Sequence, residues 1–93
     1  MTEKVNADVN IKGKVQGVFF RAETKKMADS LGLCGWVRNR RDGTVEAVFN
    51  GSRKDVEAAI KWCYQGSPYS RVSDVDVRWI EEGAEFKGFD IRY

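Results

Sequence analysis

In Val5-Asn6-Ala7-Asp8-Val9-Asn10-Ile11 apolar residues take every second place, the mark of a strand with one covered face. From about Arg21 to Leu31 the residues Phe20, Met27, Ala28 and Leu31 recur at helical spacing, and Gly32 is a suitable stop. Cys34 to Arg40 and Thr44 to Asn50 read as two strands around Arg41-Asp42-Gly43, whose Asp-Gly pair tolerates the positive φ of a tight hairpin turn. A second helix shows Val56, Ala59, Ile60, Cys63 and Tyr64 on one face, with Ser52 as N-cap and an end near Gly66. Beyond Pro68, Val75, Val77 and Trp79 alternate with Asp74, Asp76 and Arg78. After Glu81-Glu82-Gly83, Phe89, Ile91 and Tyr93 alternate again.

The order β-α-β-β-α-β-β predicts an α+β fold, a ferredoxin-like split β-α-β sandwich: an antiparallel-rich five-stranded sheet with two helices on one face. A chain of 93 residues has room for one domain, residues 1–93, with one core. In such a unit the first two strands run parallel, because the helix returns the chain to its starting end. Their C-terminal ends therefore share an edge. The segment Gly13-Lys14-Val15-Gln16-Gly17-Val18-Phe19-Phe20-Arg21 leaves the first strand there and opens the first helix. Asn39 stands near the end of the second strand, on the same face as Val37.

A loop that opens a helix suits an anion, because the first N–H groups lack helical partners and the dipole is positive at that end. Arg21 adds a full charge and a planar fork that can grip two phosphate oxygens. Alone, Arg21 would read as a solvated side chain and Asn39 as a turn residue. Their convergence on one edge raises the functional reading of both. The Gln16 side chain has two readings, a brace for the loop or an exposed amide.

Composition narrows the chemistry. Sixteen basic and 14 acidic residues leave a net charge of +2, too balanced for a general polyanion binder. No apolar run reaches the roughly 18 residues of a membrane span, and Met1-Thr2-Glu3-Lys4 is no signal peptide, so a cytoplasmic protein is expected. With no histidine and only Cys34 and Cys63, neither a metal site nor a disulfide framework is expected, and both thiols read as buried and reduced. Ser-His-Asp and Cys-His mechanisms are excluded for want of an imidazole. Backbone donors, one fixed cation and one neutral amide suit a water nucleophile and a leaving group that departs without protonation. An acyl phosphate is such a substrate, its catalysis resting on positioning and on charge stabilisation without a cofactor.

The 13–21 run, with Gly35-Trp36-Val37-Arg38-Asn39 and Asp42-Gly43-Thr44-Val45-Glu46, resembles the acylphosphatase family, whose signature is G-x-V-Q-G-V-x-F-R, then G-W-V-x-N and a D-G-T-V turn. Leu31-Gly32-Leu33, Gly66-Ser67-Pro68 and the closing Phe89-Asp90-Ile91-Arg92-Tyr93 also fall where that family has them. The resemblance implies that Arg21 grips the phosphate and Asn39 holds the attacking water. The amides of Lys14, Val15, Gln16, Gly17, Val18, Phe19 and Phe20 would cradle the phosphate, with Gly13 and Gly17 permitting the curvature. Acyl phosphate would be the substrate and inorganic phosphate product and inhibitor, with no metal and no covalent phosphoenzyme. Small size and the lack of an obvious apolar patch favour a monomer.

Two rival readings differ in class. An acylphosphatase-like regulatory domain, of the sort found in larger carbamoyl-transfer proteins, would keep the loop and bind without turnover. An RNA-recognition module shares the architecture, but its exposed strand aromatics are missing, and Asp8 and Glu46 would repel a phosphate backbone. Trp62 and Trp79 read as core or edge packing. The Arg38, Arg40, Arg41 cluster reads as a solvated strand face that could raise the local potential.

Overall fold

A computed structural model describes residues 4–81 and 86–93. Strand β1 (Lys4–Lys14) leads into helix α1 (Phe20–Ser30), then β2 (Cys34–Asn39), β3 (Val45–Ser52), helix α2 (Arg53–Gln65), β4 (Arg71–Ile80) and β5 (Phe89–Arg92). The sheet order is β4-β1-β3-β2-β5. β3 is antiparallel to both β1 and β2, β4 is antiparallel to β1, and β5 is parallel to β2. With β3 between them, β1 and β2 run the same way, and their C-terminal ends meet at one edge as expected. The Glu81-Glu82-Gly83 break lies mostly, and the Met1-Thr2-Glu3 start wholly, outside the described residues.

The alternation seen in the sequence is the alternation of the two sheet faces. Ala7, Val9 and Ile11 of β1, Val37 of β2, Val45, Ala47 and Phe49 of β3 and Phe89 of β5 are buried in one cluster with Phe20 and Ala28 of α1 and Val56, Ala59 and Cys63 of α2. Both helices therefore cover the same face. The rings of Phe49 and Phe89 stack at 5.6 Å and those of Phe20 and Trp62 meet at 5.5 Å, so Trp62 is a packing residue. Truncating a fully buried ring such as Phe49 costs about 3–5 kcal/mol.

The opposite face is polar. There Arg38 donates from Nε and Nη2 to one oxygen of Glu46, at 3.0 and 2.8 Å, Arg78 bridges Asp8 at 3.1 Å, and Asn50 donates to Asn6 at 2.7 Å. The guanidinium groups of Arg38 and Arg92 lie over the Trp36 ring, 5.3 and 4.7 Å from its centroid. The arginine cluster is thus not a free positive field. Arg38 is committed to Glu46, and Arg40 lies 3.9 Å from Asp42 and 4.0 Å from Glu46, so neighbouring carboxylates offset its charge.

Several boundaries differ from the expectation. β1 runs past Ile11 because β4 continues to pair with it, through Lys12↔Asp74, Gly13↔Val72 and Lys14↔Arg71, with a register shift at Lys12/Gly13. That shift needs glycine: Gly13 has φ 126°, and a Cβ there would run into the Arg71 carbonyl. α1 begins one residue early, at Phe20. α2 starts at the expected cap, Ser52, whose side chain accepts from the Asp55 N–H at 3.3 Å, and stops at Gly66 with φ 75°. Tyr64 is 58% exposed rather than part of the covered stripe, since α2 turns only Val56, Ala59 and Cys63 fully inward. Cys34 is half-buried at the start of β2, where its alternation places it on the polar face with Trp36 and Arg38, while Cys63 is buried in the core. Both are free.

Candidate active site

Between the end of β1 and the start of α1, residues 15–19 form a loop anchored at Val15, Gln16 and Val18. Val15 and Val18 are buried, while Gly17 and Phe19 face outward. The buried Ser67 hydroxyl donates to the Val18 carbonyl at 2.9 Å, and Gln16 Nε2 donates to the carbonyls of Arg40 and Thr44 at 2.6 and 2.9 Å. Of the two readings left open for Gln16, the brace is the one observed.

Gly17 has φ 74° and Phe19 φ 62°, ψ 22°, so two left-handed residues turn the chain into the helix. For an aromatic residue that conformation costs on the order of 1–2 kcal/mol. Glu23 is the first N–H to close back onto the loop, at 3.0 Å from the Phe19 carbonyl. Among the described residues, no N–H of Val15 to Phe19 donates to a protein acceptor. Such a run of free donors at a helix start is an anion-binding concavity. Lys14 differs from the other loop candidates, because it is the last β1 residue and pairs with Arg71 in the ladder.

Arg21 and Asn39 line one cavity of about 290 Å³ together with Gly17, Phe19, Phe20, Ala22, Ile91 and Tyr93. The two polar residues named from sequence are therefore brought together. The Arg21 guanidinium carbon lies 4.7 Å from the Tyr93 ring centroid, and among the described residues no carboxylate pairs with it. Stacking occupies a face of the fork and leaves its N–H edge available. Asn39, the last residue of β2, pairs with Val45 across the ladder, and its carboxamide makes no hydrogen bond among the described residues.

Among the described residues no aspartate or glutamate side chain lines this cavity. Asp8 and Glu46 form a contacting pair on the other sheet face. There burial, then the Glu46 carboxyl beside it, raises the Asp8 pKa against the pull of Arg78. Burial also works to raise Glu46, but hydrogen bonds from Asp8 and Arg38 outweigh it and hold Glu46 below the usual range. At the hairpin, hydrogen bonds from the Thr44 hydroxyl and N–H lower the Asp42 pKa. Among the described residues no group of acidic, cysteine or histidine side chains is placed to hold a metal ion.

Three participants were not singled out in the sequence. Ser67 lies 49 positions from the carbonyl it supports, and only its place in the Gly66-Ser67-Pro68 segment marked it. Ile91 and Tyr93 stand out in the sequence only by strand alternation and by the family-like closing segment, and neither signal places them beside Arg21, where they line the cavity. Phe19 was named for its amide, yet its ring, 72% exposed, forms part of the wall.

Comparison with known proteins agrees across the chain. The family model described as Acylphosphatase matches residues 7–91. An acylphosphatase of Pelotomaculum thermopropionicum is 51% identical over 90 residues, covering 97% of this chain and 98% of that protein. Among solved structures, the acylphosphatase of Bacillus subtilis superposes with a TM-score of 0.93 at 34% identity, covering 96% of this chain and 99% of that one. Full-length HypF in its phosphate- and nucleotide-bound form matches with a TM-score of 0.87 at 29% identity, over all of this chain and 12% of that one.

Proposed function

This chain belongs to the acylphosphatase family, and from that premise we propose that it hydrolyses acyl phosphates as a single domain with Arg21, Asn39 and the loop amides as its machinery. The carrying observation is the cavity that joins Arg21 and Asn39 beside a loop whose N–H groups are unpaired. The amides of residues 15–20 and the Arg21 fork surround the phosphoryl oxygens, where they stabilise charge in the transition state. Lys14 contributes from the strand end, as a flanking charge. The Asn39 carboxamide accepts from a water and holds it in line with the breaking P–O bond.

The reaction balances without a titrating residue. Water attacks phosphorus, the bond from phosphorus to the bridging oxygen breaks, and its electron pair leaves on the carboxylate. R–CO–O–PO₃²⁻ and H₂O thus give R–COO⁻ and H₂PO₄⁻, both water protons remaining on the phosphate. In a loose transition state the nucleophile needs little activation. No covalent phosphoenzyme and no metal enter this sequence. All of these groups come from one copy of the chain, so a monomer suffices. Two free cysteines fit a reducing compartment such as the cytoplasm.

Among the described residues no helix is long and apolar enough to cross a membrane, and the substrate is a small molecule. A nucleic-acid role is disfavoured by Asp8 and Glu46 on the open sheet face, where an RNA-recognition module stacks bases. The test is hydrolysis of benzoyl phosphate in excess chelator, with Arg21→Ala as control for contaminating activity. Turnover lost in the variant supports the reading. Phosphate binding without turnover would make the domain a binding module, as the likeness to one part of HypF would allow.

A further inference from the structure

We propose that Gln16 is a positioning residue that sets the distance between the anion loop and Asn39, an inference that rests on the reading of the site just given. Its Nε2 bonds, 2.6 Å to the Arg40 carbonyl and 2.9 Å to the Thr44 carbonyl, reach from the loop to the two ends of the β2–β3 turn. Arg40 directly follows Asn39 in the chain. Both acceptors are carbonyl oxygens, so only the NH₂ end of the carboxamide fits between them, and it spends both protons there.

The turn does not need Gln16 to close. Arg40 N–H already donates to the Thr44 carbonyl at 2.8 Å and Gly43 N–H to the Arg40 carbonyl at 3.2 Å. Asp42 accepts from the Thr44 hydroxyl and N–H at 2.6 and 3.0 Å, and the same hydroxyl lies 3.1 Å from Asn10 Oδ1. Nor does the loop need it to stay attached, since Val15 and Val18 are buried and Ser67 holds the Val18 carbonyl. Each half stands by itself. Gln16 supplies the side-chain hydrogen bonds that join them, and reactions that rest on positioning lose rate steeply when two groups drift apart by an ångström.

The test compares Gln16→Ala and Gln16→Glu with wild type on benzoyl phosphate, with inorganic phosphate as inhibitor and thermal unfolding as the structural control. For Gln16→Ala the kcat falls by at least tenfold, while phosphate inhibition shifts less than about threefold, and unfolding stays cooperative within a few degrees of wild type. Gln16→Glu is worse than Gln16→Ala at neutral pH, because its carboxylate faces two carbonyl oxygens. Its kcat relative to wild type recovers as pH falls through the carboxyl range, where a protonated oxygen can donate again. An unchanged kcat in Gln16→Ala, or a loss that follows the unfolded fraction, overturns the proposal. An inactive wild type instead overturns the hydrolase reading on which it rests.

Discussion

The guanidinium of Arg21 stacks on the ring of Tyr93 at 4.7 Å from the centroid. One residue lies in the first turn of α1 and the other just past β5, so the sheet edge orients the cation of the helix start. Arg21→Lys keeps the charge but loses the fork, and kcat/KM on benzoyl phosphate should fall on the order of a hundredfold or more. Tyr93→Leu removes a cation–π contact worth about 0.5–1 kcal/mol at an exposed site, so the inhibition constant of inorganic phosphate should rise about 2–5-fold. Steady-state kinetics with phosphate inhibition measure both.

Asn39 separates from Arg21 by the step it serves. If its carboxamide holds the water, Asn39→Ala should lower kcat by about 10²–10³, the scale for loss of one preorganised polar group. The inhibition constant of phosphate should move less than about threefold. A variant that loses phosphate affinity and kcat together would place Asn39 on the phosphate rather than on the water.

The Asp8–Glu46 pair makes stability depend on pH. Asp8 has a folded pKa raised first by burial and then by Glu46. Its contribution is therefore fully present below the ordinary carboxyl range and lost as pH rises through the raised value. Asp8→Asn removes that loss, while the ion pair it sacrifices has its Arg78 end mostly in solvent, where screening weakens it. The melting temperature of Asp8→Asn minus that of wild type should be more positive at pH 7 than at pH 3. A difference of the opposite slope would mean that Arg78 governs Asp8.

Cys63 predicts an alkaline effect. Burial pushes its thiol from 9.0 up to about 12. A raised folded pKa means that this group's contribution is complete below pH 9 and is lost as pH rises toward 12, at up to about 1.4 kcal/mol per pH unit. Urea unfolding of wild type and Cys63→Ala should converge over that range, whatever the cost of the alanine at neutral pH. Parallel curves would show that the thiolate finds solvent.

What the sequence disclosed and what it hid follow from the range of each interaction. The β1 alternation, the α2 stripe with its Ser52 cap, and the convergence of the loop with Asn39 depend on local periodicity and on chain direction, both written in consecutive residues. The extension of β1 through Lys14 depends on β4, some sixty positions away, and glycine at 13 hides it by breaking the alternation. Ser67 supports the loop through a single hydroxyl bond that leaves no periodic signal. Arg38 and Arg40 look like a basic patch until the β2–β3 register sets Glu46 against them. Tyr64 fits the helical stripe by spacing, yet α2 buries only Val56, Ala59 and Cys63 and leaves Tyr64 exposed.

The central claim is that water attacks phosphorus while the loop and Arg21 hold the phosphoryl group. Benzoyl phosphate turned over in ¹⁸O-water, with mass analysis of both products, tests it directly. One ¹⁸O atom in inorganic phosphate and none in benzoate is the predicted result. Label in benzoate would mean attack at the carbonyl carbon, and the roles given to Arg21 and Asn39 would be wrong.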